Sequence, residues 1–106
     1  MKTTKVIRKI EKEEFSKLIQ RHKTSIIVSP HAFDHLSTAQ RNKFTEEDLL
    51  KPLRNQNPSF IGLQKNGRYI VFFKEKEGYL AIVIADKTQK LEIVTFMNKD
   101  NLPILK

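Results

Sequence analysis

The sequence predicts an α+β fold, with N-terminal helices packed on one face of a four-stranded antiparallel meander sheet. Phe15, Leu18, Ile19 and His22 recur at helical spacing in the first half. From residue 58 onward the chain turns to short β-branched and aromatic runs. Asn66-Gly67 stands between two of those runs, the pattern of a tight hairpin. Helices followed by strands, rather than alternating with them, favour α+β over a βαβ sheet.

The elements follow in chain order. Val6, Ile7 and Ile10 do not share the helical face, so the opening is compatible with a separate turn or a strand. An amphipathic helix is expected over about residues 11–22. Ser25-Ile26-Ile27-Val28-Ser29 is a β-branched run ended by Pro30, a strand or extended entry. Pro30 suits the first turn of a helix over residues 31–36, with Ala32, Phe33 and Leu36 inward. Ser37 with Gln40 reads as a capping box that restarts the helix, and Thr45 with Asp48 repeats it. Phe44 can staple onto Leu49. The helix that follows should bury Leu49, Leu50 and Leu53, with Pro52 kinking it or ending it early.

In the strand half, a two-residue type I′ turn at Asn66-Gly67 pairs Lys65 with Arg68, Leu63 with Ile70 and Ile61 with Phe72. Gly78 closes a second hairpin into Tyr79–Ile84. A third turn near residues 87–89 leads into Leu91–Phe96. This register puts Ile61, Leu63, Ile70, Phe72, Leu80, Ile82 and Ile84 on the face that receives the helices. Phe60, Gly62, Gln64, Tyr69, Val71 and Phe73 fall on a mixed face with basic side chains at its strand ends. Such a face can stay wet and bind RNA.

The chain of 106 residues reads as a single domain over residues 1–106. Its 39% apolar and 30% charged residues fit globular structure rather than disorder. The absence of Cys removes disulfides, iron–sulfur clusters, thiolate zinc sites and thiol catalysis. No apolar run approaches the ~20 residues of a membrane span, and no apolar stretch follows the basic start as in a signal peptide. A reducing cytoplasm is the expected location, with no membrane partner.

Twenty basic against twelve acidic residues give a net charge of +8. Residues 1–23 carry eight basic and three acidic groups, residues 24–63 four of each, and residues 64–106 eight and five. A basic excess favours polyanionic partners, although Lys-rich surfaces also serve solubility.

His31 and His35 are spaced i, i+4, which is half of a zinc pair. The usual Glu neighbour and an obvious third ligand are missing, so no metal and no cofactor is expected. His31 in a first helical turn would be held neutral by the helix dipole, beside N–H groups that can hold a phosphate. A general base at an anion site suits RNA cleavage by 2′-hydroxyl attack; the plainer reading is a helix cap. Arg68 could clamp a scissile phosphate, Lys74 offset developing charge, and Tyr79 stack a base or donate a proton. Ordinary hairpin decoration explains each of the three singly.

Four stretches, Ser29-Pro30-His31-Ala32-Phe33-Asp34-His35-Leu36, Phe44–Leu49, Asn66-Gly67-Arg68-Tyr69 and Ile93-Val94-Thr95-Phe96, together resemble small RelE-like toxins. The resemblance covers roughly residues 25–97. It implies helices on one side of an antiparallel sheet, metal-independent cleavage of RNA, and inhibition by a cognate antitoxin. By motif position His31 matches the family histidine and Arg68 the hairpin arginine. His35 stands where many relatives carry Arg. Phe96-Met97 stands where many keep a proton-exchanging Tyr or His near the end of the last strand.

The leading expectation is thus an endoribonuclease toxin of a toxin–antitoxin pair. His31, Arg68 and Lys74 would be catalytic, and Tyr79, His35 and Tyr69 would touch RNA. The alternative is a non-catalytic nucleic-acid-binding or protein-interaction module on the same fold.

Overall fold

A computed structural model describes residues 5–21, 25–34, 45–87 and 89–103. The described elements are β1 (Val6–Lys9), α1 (Lys12–Arg21), β2 (Ile26–Val28), α2 (Glu46–Asn55), β3 (Phe60–Gln64), β4 (Tyr69–Lys74), β5 (Tyr79–Lys87) and β6 (Lys90–Lys99). They build a mixed six-stranded sheet of order β1-β3-β4-β5-β6-β2. This corrects the expected four-stranded antiparallel meander, and with it the all-antiparallel sheet implied by the toxin resemblance. Strands β3 to β6 do pair consecutively and antiparallel. The N-terminal half, expected to be mainly helical, supplies both edges as well. β1 runs antiparallel to β3, and β2 runs parallel to β6.

A bare meander would leave two long rows of unpaired backbone groups, and the short added strands blunt them. β1 is bulged at Ile7, between the pairs Val6–Gln64 and Arg8–Leu63, and carries Arg8 and Lys9. β2 offers three residues, of which Ile27 is exposed.

Both described helices face one side of the sheet. Phe15 and Leu18 of α1, with Leu49, Leu50 and Leu53 of α2, are buried against Ile61, Val71, Phe73, Leu80, Ile82, Ile84, Leu91, Ile93 and Phe96. A bulge where the β5–β6 register shifts between Val83 and Ile84 lets Ile93 and Phe96, three positions apart, both reach this core. At the start of α2 the Asp48 carboxylate accepts from the Thr45 backbone N–H at 2.7 Å, the expected capping box. α2 runs three residues past Pro52, and the Gln56 N–H donates to the Pro52 carbonyl.

The first hairpin departs from the expected register by one residue. Leu63 pairs with Tyr69, Gly62 with Ile70 and Ile61 with Val71. A type I′ turn needs positive φ at both central residues, but among the described residues only glycines take positive φ. The turn closes instead with the Gly67 N–H donating to the Gln64 carbonyl, and Gly67 alone is left-handed at φ 87°. That is the three-residue loop with a glycine bulge.

A slip of one residue turns side chains to the other face. Tyr69, Val71 and Phe73 therefore lie under the helices. Ile70 and Phe72 lie on the opposite face with Ala81 and Val83, in a second buried cluster flanked by Val6, Phe60, Tyr79, Val94, Met97 and Leu102. The expected assignment of Ile70 and Phe72 to the helix face is corrected accordingly. The opposite face has an apolar centre rather than a wet one. Of the expected apolar tail, Leu102 packs on this cluster, and residues 104–106 lie outside the described residues.

Candidate nucleic-acid interface

The predicted site residues fall in three places. His31 lies in a pair of successive turns after β2, where Ala32 N–H donates to the Ser29 carbonyl and Asp34 N–H to the His31 carbonyl. The expected helix start over residues 31–34 is thus replaced by turns, and the helix-dipole argument for His31 loses its basis there. Ala32 is buried, and Phe33 meets Phe96 edge-on at 5.3 Å between ring centres. Phe33 thereby moors the turn to the main core and leaves the His31 side chain 83% exposed. Its Nδ1 lies 2.9 Å from an Asp34 carboxylate oxygen. His35, Ser37, Gln40 and Phe44 lie outside the described residues, as does His22.

Arg68 is exposed beside the first turn, its backbone N–H held by the Asn66 side-chain oxygen at 3.0 Å. Two strands, β5 and β6, separate β4 from β2. Three inter-strand spacings of ~4.8 Å therefore lie between the strands that lead to Arg68 and to His31. Tyr69 is half buried against the main core.

Lys74 stands at the far end of β4 from Arg68, ~20 Å along the strand at ~3.4 Å per residue. There it pairs across the hairpin with Tyr79, its Nζ 4.9 Å from the centre of the tyrosine ring. Tyr79 in turn meets Phe72 edge-on at 6.3 Å, and Phe72 meets Phe60 at 6.0 Å. An aromatic row thus crosses the helix-free face and ends at a lysine. Of the predicted residues, the fold brings together Lys74 and Tyr79. It does not gather His31 and Arg68 around them.

Beside Lys74, between α2 and the β4–β5 hairpin, lies an open cleft of about 510 Å³. Phe73, Leu80 and Pro52 form the apolar part of its lining, and Lys51, Lys74 and Lys76 are its basic residues. Asp48, Glu75 and Gln56 complete the lining. Among the described residues none of the three lysines is held in an ion pair. The Asp48 carboxylate is engaged at the helix cap by the Thr45 N–H and hydroxyl. Lys51 and Lys76 were not singled out from the sequence; Lys76 lies two residues from Lys74, but only the packing of α2 against a hairpin more than twenty residues later brings Lys51 to the pair. No local pattern carries the position of Lys51.

Among the described residues no group of three His, Cys, Asp or Glu side chains is placed to hold a metal ion. No helix among them is long and apolar enough to cross a membrane. No protein-family model, curated protein or solved structure matches the chain.

Proposed function

We propose that this chain is a basic, single-stranded RNA-binding domain of the cytoplasm that works by contact rather than catalysis. The observation that carries this reading is the Lys74 ammonium lying over the Tyr79 ring at a strand end, on a chain of net charge +8. An aromatic platform beside unpaired ammonium groups is the minimum equipment for holding a single strand: bases stack on the ring and phosphates meet the lysines. In the free protein the ammonium covers the ring. When a base arrives it takes the ring face, and the ammonium moves onto the neighbouring phosphate. Fluorescence anisotropy with a labelled oligouridine at low salt tests the reading. Saturable binding supports it, and none at protein concentrations well above micromolar defeats it.

The His31–Asp34 pair favours a second reading, the RelE-like endoribonuclease held in check by a cognate antitoxin. With Nδ1–H donated to Asp34, Nε2 is left as an exposed acceptor able to take a 2′-hydroxyl proton. That reading also needs a phosphate clamp and a proton donor near Nε2, and Arg68 and Lys74 are carried by a strand remote from it. RNA cleavage in the presence of EDTA, abolished by His31→Ala, would establish it over the first.

A further inference from the structure

Among the described residues, two clefts that border the sheet differ in charge. The one between β1, α1 and the chain before β3 is lined by Lys9 and Lys12 against Glu11 and Glu13, so its charges cancel. The one between α2 and the β4–β5 hairpin sets three lysines against two carboxylates, of which Asp48 is already engaged at the helix cap. Its volume of about 510 Å³ lies within the ~300–1,000 Å³ of small-molecule sites. Phe73 and Leu80 line it from below and are almost wholly buried, so neither side chain protrudes into the cleft.

We propose that this cleft holds one nucleotide of a bound single-stranded RNA, the base on the Phe73–Leu80 floor and the phosphates on Lys51 and Lys76. The proposal rests on the RNA-binding reading and names where the strand runs. Lys74 both lines the cleft and covers Tyr79, so it marks the path by which the chain passes from the cleft round the sheet end to the ring. Gln56 also lines the cleft, and its amide carries both a donor and an acceptor for a base edge. The two carboxylates of the lining disfavour a dense polyanion and suit a ligand that brings one or two phosphates together with amino and hydroxyl donors. A nucleotide has that composition.

The test compares oligouridine affinity for the wild type with Lys51→Ala, Lys76→Ala and, as a control at the other cleft, Lys12→Ala. All three side chains are exposed, and circular dichroism confirms that each variant is folded. Lys51→Ala and Lys76→Ala should each weaken binding by at least about fivefold and flatten the dependence of log K on log salt by ~0.7, while Lys12→Ala changes affinity less than about twofold. If Tyr79→Leu weakens binding but the Lys51 and Lys76 variants match the wild type, the cleft assignment is overturned and the RNA-binding reading stands. If the wild type binds no RNA, both fall.

Discussion

Lys74 and Tyr79 face one another at the turn end of the β4–β5 hairpin, the lysine Nζ 4.9 Å from the ring centre. A cation held over a half-buried ring is worth about 0.5–2 kcal/mol, too little to explain the fold and enough to orient the ring. The pair therefore matters for what the ring can meet. Base stacking on an aromatic side chain contributes ~1–3 kcal/mol per base, so Tyr79→Leu should weaken oligouridine binding roughly five- to 150-fold. Tyr79→Phe should remain close to wild type. Anisotropy titrations of both variants decide it, and equal affinity of Tyr79→Leu and wild type would remove the ring from the interface.

The one-residue slip in the first hairpin carries its own prediction. Phe72, 2% exposed, belongs to the second buried cluster on the helix-free face. Phe72→Ala should cost ~3–5 kcal/mol in urea denaturation, the range for deleting a buried ring. A cost below about 1 kcal/mol would mean that this face is wet after all.

The two left-handed glycines should separate in the same experiment. Both Gly67 and Gly78 have positive φ, but a Cβ at Gly67 would meet nothing within 4 Å, whereas at Gly78 it would press on the Lys99 carbonyl oxygen. Gly67→Ala should cost ~1–2 kcal/mol, the left-handed penalty alone. Gly78→Ala should cost measurably more, because backbone of β6 must also move. Equal costs would contradict the close approach of the hairpin to the end of β6.

His31 offers a prediction of no effect. Its side chain is 83% exposed and its visible partner is Asp34. His31→Ala should leave the unfolding free energy within about 0.5 kcal/mol, as for most surface substitutions. A loss above 1.5 kcal/mol would show that the residue is a structural cap.

The meander's turns were legible because Gly67 and Gly78 mark positions that only glycine adopts cheaply, and the capping box at Thr45 and Asp48 was legible because its signal is local. The register was not. Asn66-Gly67 fits two loop lengths, and apolar residues on both sides of β4 give no alternation to choose between them. Ile70, Val71, Phe72 and Phe73 are all buried, so the strand reads the same in either phase. Ile26–Val28 read as a strand, but the pairing of both edges was hidden for a different reason. Val6–Lys9 and Ile26–Val28 are three or four residues long, and their partners lie more than fifty residues away in sequence. The site divides the same way. Lys74 and Tyr79 flank one turn and could be paired from sequence, whereas Lys51 reaches them through tertiary packing alone.

The most direct test of RNA binding through the basic surface is the salt dependence of the wild-type affinity for a single-stranded oligonucleotide. Each phosphate contact releases counterions, so log K should fall linearly with log salt at ~0.7 per contact. Contacts from Lys51, Lys74 and Lys76 therefore predict a slope near −2. Binding that is absent, or that stays flat between low and physiological salt, would contradict the account.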